Sequence, residues 1–344
     1  MAGRALTLLP ALAAPALFGL GVAACKPLLA GVDPLVMAGG LYLCSGLGLG
    51  AWRLFSRGAE APLGRKDWPW LAGAVVLGGV VGPALLMSGL RLIPANTASL
   101  LLNLETVLTV LVAWALFREP VGALGAWGMG LIVLGGAVLS WSGGALGFSW
   151  GALAVVGACL AWALDNNLSQ RVSGKDPVQT AAVKGVVAGA FNLALGLSLG
   201  APLPAPHAWG RMALIGVLGY GLSLVFFLRS LREIGAARTG TYYALAPFIG
   251  AAAGLLFLGE PLSARFSAAA LLMGAGVWLT LSQRHEHAHS HRDVHEHVHE
   301  HDEHHRHEHP EGAPGGATHA HSHSHEGLTH THPHEADIHH RDGH

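Results

Sequence analysis

Ten stretches of about 20 apolar residues follow one another along this 344-residue chain, and that pattern leaves few folds open. They lie near residues 6–29, 34–54, 69–89, 95–117, 121–141, 149–170, 178–200, 208–230, 237–258 and 263–282. A 20-residue helix rises about 30 Å, the thickness of a bilayer's hydrocarbon. Hydrocarbon offers no partner to a backbone N–H or C=O, so each crossing must bond its own backbone, as a helix does. The alternating pattern of barrel strands is absent from the sequence. The intervening segments carry turn residues, among them Gly31-Val32-Asp33-Pro34, Ile93-Pro94, Arg118-Glu119-Pro120 and Gly259-Glu260-Pro261. The expected fold class is all-α and integral to a membrane, with ten transmembrane helices. The first stretch has a second reading, since Arg4, an apolar run and Val22-Ala23-Ala24-Cys25 also fit a cleaved lipoprotein-type signal. Lys26 directly after the cysteine, and the repeat described below, favour a first transmembrane helix.

Charge is scarce and unevenly placed. Only 12% of residues are charged, about half the share of a soluble domain. Residues 285–344 hold 22 of the 23 histidines and 12 of the 21 acids, but 3 of the 20 Lys/Arg. With the N-terminus in the cytoplasm, twelve basic residues of the body fall inside: Arg4, Arg53, Arg57, Arg65, Lys66, Arg118, Arg171, Lys175, Arg229, Arg232, Arg238 and Arg284. Four fall outside: Lys26, Arg91, Arg211 and Arg265. Positive charge prefers the cytoplasmic side, so both termini are expected there, in the cell's inner (plasma) membrane. Cys25, Cys44 and Cys159 sit in apolar runs and form no disulfide or metal pattern. No nucleophile–base set or phosphate-binding loop points to an enzyme, and nothing points to nucleic acid as a partner. The partners expected are the lipid bilayer and a small-molecule or metal-ion cargo, with a homodimer left open.

The body repeats. A shift of 141 positions lays Trp68 on Trp209, Gly78 on Gly219, Leu90-Arg91-Leu92-Ile93 on Leu231-Arg232-Glu233-Ile234, Glu119-Pro120 on Glu260-Pro261 and Gly135 on Gly276. A shift of 143 lays Asp33-Pro34 on Asp176-Pro177. Five crossings per copy make the second copy enter from the opposite side, so the repeats are inverted, as in carriers that bind cargo at the midplane. The divisions are 1–143, 144–283 and a disordered His-rich cytoplasmic tail, 284–344.

Two such halves resemble the EamA-type carriers of the drug/metabolite transporter superfamily. The resemblance rests on Lys26 with Asp33-Pro34 after helix one, Asn103-Leu104-Glu105 in helix four, Leu245-Ala246-Pro247-Phe248 in helix nine, and the Glu-Pro closing helices four and nine. It covers roughly 6–282 and implies a transporter. Two positions depart from the pattern: Arg118 replaces the glycine that precedes Glu-Pro, and Gly39-Gly40 stand where helix two often carries arginine.

A carrier needs polar groups at depth. Asn96, Ser99, Asn103 and Thr106 recur on one face of helix four, suited either to line a cavity or to bond neighbouring helices. Glu105 lies mid-span, where a carboxylate must be protonated, neutralised or cation-bound, and so suits proton coupling or a packing brace. Helix six brings Asp165-Asn166-Asn167 and helix seven Lys184, at matched depths of roughly 8–9 Å. A buried Asp165–Lys184 pair follows, acting as a switch or as a static brace. Lys26 matches the family pattern and can also snorkel. These ten residues are the expected substrate and coupling set. Gly78 with Gly82, Gly185 with Gly189 and Gly250 with Gly254 read as helix-packing pairs.

The tail has too little apolar content for a packed core. Histidine alternates at 285, 287, 289 and 291, at 295, 297, 299 and 301, at 319, 321, 323 and 325, and at 330, 332 and 334. The metal-ligand set is therefore His285, His287, His289, His291, His295, His297, His299, His301, His319, His321, His323, His325, His330, His332 and His334. No cofactor is required, but imidazole at this density suits Zn, Ni, Co or Cu. The plainer reading is a solvated, pH-sensitive tether. The sum is a secondary carrier, an exporter by alternating access, with proton coupling open. Its cargo is a small metabolite or a metal ion, with the tail binding metal. The alternative is a membrane-anchored divalent-metal buffer or sensor that transports nothing.

Overall fold

The computed structural model describes residues 2–55, 63–118, 121–141, 149–169, 176–234 and 236–282, and in the tail 286–290, 294–299, 319–324 and 329–333. Glu119, Pro120, Arg171, Lys175, His285, His291, His301, His325 and His334 lie outside these residues. The chain divides into two units, Met1–Gln283 and Arg284–His344.

Among the described residues of the first unit, ten helices are long and apolar enough to cross a membrane. They are α1 (Leu8–Leu28), α2 (Pro34–Arg53), α3 (Trp68–Leu92), α4 (Ala95–Leu116), α5 (Ala123–Ser140), α6 (Trp150–Ser169), α7 (Val178–Ser198), α8 (Pro206–Ser230), α9 (Arg238–Phe257) and α10 (Ala264–Leu281). Ten crossings put the start of α1 and the end of α10 on one face, here the terminal face, and the α1–α2 turn on the other, the distal face. Exposed tryptophans mark both faces: Trp52, Trp68, Trp70, Trp114, Trp127 and Trp278 near the terminal one, and Trp141 and Trp150 near the distal one. Indole rings prefer the headgroup level of a bilayer. Between these belts Leu134 is 52% and Leu271 75% exposed, surface that water would penalise and lipid does not.

The inversion is visible in the packing of equivalent helices. α2 runs antiparallel to its counterpart α7, with Gly39 against Gly189 and Leu193, and Gly46 against Gly185 and Val186. α5 lies likewise on α10, with Gly128 against Gly276, and Gly135 against Ala269 and Met273. α4 lies on α9, with Asn96 against Gly254 and Ser99 against Gly250. The pairs that exchange under the repeat also correspond: α3 packs on α6 as α8 packs on α1. Such a pattern is what a two-fold axis in the membrane plane produces. A Cβ on Gly276 would come within 2.6 Å of the Gly128 carbonyl, so only hydrogen at these sites permits the backbone approach. The core crosses the repeats, with Met37, Leu86, Leu100 and Met273 fully buried in one cluster.

Irregular backbone repeats as well. α3 is π-helical over Val75–Val81 and α8 over Gly216–Leu222, 141 positions apart. The Asp-Pro caps fall on opposite faces. The Asp33 carboxylate accepts from Leu35 N at 2.8 Å, and that of Asp176 from Val178 N at 3.0 Å and Gln179 N at 3.1 Å. Burial alone would raise the Asp176 carboxyl, but these N–H groups and the Arg53 guanidinium paired with it hold it below its usual range. α4 ends with Arg118 left-handed at φ 58°, and the helix containing α9 ends at Phe257, with Leu258 as its cap and Gly259 next at φ 65°. Glycine adopts this conformation freely, whereas a side chain costs about 1–2 kcal/mol there.

In the tail unit, β1 (Glu286–Ser290) pairs antiparallel with β4 (Thr329–Pro333), and β2 (Val294–His299) with β3 (His319–Ser324). Among the described residues, the two clusters of buried apolar side chains belong to Met1–Gln283. Isolated two-stranded ladders such as these have marginal stability in water, consistent with the expected disordered tail.

Arg118→Gly removes the left-handed strain but adds unfolded-chain entropy. The expected net gain is about 0.5–1 kcal/mol, seen as a higher thermal midpoint in detergent.

Candidate functional site

α4 and α9, equivalent helices packed on each other, are each interrupted. α4 is helical over Ala95–Leu101 and again over Asn103–Phe117, and the helix containing α9 over Ala236–Tyr243 and Ala246–Phe257. Asn103 Nδ2 donates to Leu100 O at 2.9 Å, satisfying a carbonyl at the first break. Glu105 stands in the first turn of the second half-helix, where the helix dipole favours negative charge. Its Oε1 accepts from Asn166 Nδ2 at 3.0 Å, a bond from the first repeat to the second. Asn166 Nδ2 also reaches Thr109 Oγ1 at 3.4 Å, and buried Asn167 donates to Thr109 O at 3.2 Å and Ala163 O at 2.8 Å. Glu105 is half-buried, with Asn166 and Thr106 exposed.

Beside this cluster, Lys184 Nζ of α7 donates to Asp165 Oδ2 of α6, and Ser169 Oγ donates to Asp165 Oδ1 at 3.1 Å. Asp165 is 5% exposed and seats directly on Gly78, where any Cβ would collide with its carboxylate. Gly78 belongs to the π-helical turn of α3, whose carbonyls gather donors from three helices. Gly78 O takes Trp162 Nε1 at 2.9 Å and Tyr42 Oη at 3.2 Å, and Val80 O takes Asn192 Nδ2 at 3.1 Å. An ion pair, a π-helical turn and its donors thus form one connected network.

The remaining predicted residues fall elsewhere. Asn96, Ser99 and Asn103 are buried, the first two in the seam with α9, and the break at Leu102 separates them from exposed Thr106. Lys26 Nζ donates to the carbonyls of Leu90 at 2.7 Å, Arg91 at 3.2 Å and Ile93 at 2.8 Å, closing the C-terminal end of α3. Across the same turn, Glu260 accepts from Ala95 N at 2.5 Å and Asn96 N at 2.7 Å, closing the start of α4. Cation and anion each meet the helix end whose dipole suits them. Among the described residues no group of three or more His, Cys, Asp and Glu forms a metal-sized cluster.

The EamA-like transporter family model matches residues 5–141 and again 149–282. This chain belongs to that family. It is similar to an uncharacterized transporter of Methanothermobacter thermautotrophicus, 31% identical over 64% of this chain and 66% of the relative. An uncharacterized transporter of Synechocystis is 24% identical over 72% of this chain and 81% of its own length. A solved crystal structure, 19% identical, shares the fold at a TM-score of 0.58 over 80% of this chain and 96% of its own. The chain is therefore a multi-pass membrane protein of a family of transporters, not of enzymes.

In this EamA-like chain the sequence reading missed an aromatic arc. Tyr42 of α2 meets Tyr220 of α8 at 5.8 Å between ring centroids, and Tyr220 meets Phe18 of α1 at 5.7 Å. Phe18 meets Tyr243 of α9 at 6.0 Å, and Tyr243 meets Phe227 of α8 at 4.8 Å. The signal was available: the chain has 4 tyrosines, and Tyr42 and Tyr220 sit well inside spans rather than at the headgroup level that tyrosine prefers. Asn192, fully buried on α7, carried the same signal as Asn103.

Removing one partner of the Asp165–Lys184 pair leaves a buried charge alone. Asp165→Asn and Lys184→Met are each expected to cost about 3–5 kcal/mol, and the double variant less than either, by unfolding of the purified protein.

Proposed function

We propose that this protein is a proton-coupled secondary carrier that exports a small solute from the cytoplasm by alternating access of its two repeats. The observation that carries the reading is the Glu105–Asn166 bond. It joins the repeats at an interrupted helix, and at a carboxylate that keeps accessible surface midway along α4. Glu105 is the proton site in this scheme. Its titratable and charged surroundings are Asp165 and Cys159 on α6, Lys184 on α7, Tyr42 on α2 and Tyr243 on α9. Protonation removes the charge that Asn166 bonds and frees α4 to shift against α6. The Asp165–Lys184 pair and the π-helical turn it touches transmit that shift to α3 and α7. The placement of basic residues supports an inner-membrane protein with both termini in the cytoplasm.

The cargo is a small metabolite or a metal ion, and the tail binds divalent metal on the cytoplasmic side. The strand register supports metal binding: His287 faces His332, His289 faces His330, and His295, His297 and His299 face His323, His321 and His319. Opposed positions in such ladders bring Cβ atoms to about 4.5–5.5 Å, a spacing at which two imidazoles can share one ion. The same register favours, as second reading, a membrane-anchored metal buffer or sensor without transport.

In proteoliposomes, Glu105→Gln is expected to abolish solute movement driven by a pH gradient. Full pH-driven movement in that variant refutes the coupling role. Truncation after Arg284 is expected to remove most Zn, Ni, Co or Cu binding by equilibrium dialysis while leaving solute transport; loss of metal flux instead identifies metal as cargo.

A further inference from the structure

In the tail unit, every histidine of the four described strands stands opposite another histidine. His287 and His289 of β1 pair with His332 and His330 of β4, and His295, His297 and His299 of β2 with His323, His321 and His319 of β3. The positions between them pair Ala288 with Thr331, Ser290 with Thr329, Glu296 with Ser322 and Val298 with Ala320. Successive residues of a strand alternate between faces, so histidine occupies one face of each ladder and small or polar residues the other. A slip of one residue would leave no histidine opposite another. The pairing is also nested. Among the described residues, strands of one His-rich segment, 286–299, pair only with strands of the other, 319–333.

Nothing in the composition of these ladders holds that register. Ala, Ser, Thr, Val and Glu on the second face bury too little to pin a strand, and a lone two-stranded ladder is marginal in water. Opposed imidazoles repel when both are charged. The missing stabiliser must act between the histidines themselves. We propose that divalent transition-metal ions staple the two His-rich segments together, each ion taking one imidazole from each segment, so that metal closes an open tail into a nested hairpin. The inference rests on the reading of the tail as a metal binder and adds what the metal does to it. Distance selects the cross-strand pair. Cβ atoms of opposed positions lie about 4.5–5.5 Å apart, against about 6.6 Å for histidines two apart on one strand. Zinc binds imidazole nitrogen at about 2.0–2.1 Å, so the nearer pair closes on it with less movement. The unit is a pair, not a preformed cluster of three or more, which the described residues lack. Water fills the remaining positions, and the ions exchange. Because the site does not exist in the open chain, the free energy of metal binding becomes free energy of folding.

The test is backbone hydrogen exchange, read by mass spectrometry on the full-length protein in detergent with Zn²⁺ or Mg²⁺, beside equilibrium dialysis of the same ions. Zn²⁺ is expected to slow exchange roughly 10-fold or more in 286–299 and 319–333 together. Mg²⁺, which prefers oxygen ligands, is expected to protect neither. A variant carrying His319→Asn, His321→Asn, His323→Asn, His330→Asn and His332→Asn is expected to lose Zn²⁺ protection in 286–299, where every histidine is intact. It should also lose as much bound Zn²⁺ as a variant with the strand histidines of both segments replaced, whereas independent segments would lose about half each. Protection of 286–299 that survives in the variant, or equal protection by Mg²⁺, overturns the stapling. Zn²⁺ bound to the unaltered chain without protection overturns the closure and leaves the metal-binding reading standing. Absence of Zn²⁺ binding overturns that reading itself.

Discussion

A peptide group in hydrocarbon must have a partner, and the rest of this structure follows from how that demand is met wherever a helix is imperfect. The π-helical turn of α3 is supported by Trp162, Tyr42 and Asn192. The break in α4 is supported by Asn103, the end of α3 by Lys26 and the start of α4 by Glu260. Trp162, Asn192 and Glu260 come from the second repeat and support backbone of the first. Departures from ideal helix are thus tied across the repeats, so a change in how the halves meet must exchange hydrogen bonds.

The scaffold is symmetric and the chemistry is not. The π-helical turns recur at a spacing of 141 residues, and the helix breaks fall within a residue or two of it. By the same offset, Glu105 corresponds to Ala246 and Asn103 to Ala244. One repeat carries the carboxylate; the other contributes its amide partner, Asn166, and much of the aromatic arc. Two corresponding frames thus hold unequal contents, with Glu105 in the first repeat bonded to Asn166 of the second.

The fold was legible because its physical signals are long. Ten apolar stretches, each closed by turn chemistry, locate helices to within a few residues, and the offset between Glu119-Pro120 and Glu260-Pro261 announces duplication. Asp165 and Lys184 were legible because matched depth on successive helices leaves each few other counter-charges. The polar stripe was not, because a helical wheel assumes an unbroken helix and α4 breaks at Leu102. Lys26 read as a residue near the outer end of helix one that can snorkel, yet its ammonium serves three carbonyls at the end of another helix, a contact no local pattern announces. The aromatic arc joins residues from four helices and emerges only when those helices are packed.

The α2–α7 and α5–α10 seams have a mechanical consequence. Where Gly46 meets Gly185 and Gly128 meets Gly276, main chain lies against main chain, with Ile132, Thr280 and Met273 packed alongside in the α5–α10 seam. Interlocked side chains make a rotation proceed in jumps, because each must leave one groove before entering the next. Ile132 against Gly276 and Met273 against Gly135 therefore favour discrete settings of the α5–α10 seam over a continuum of angles.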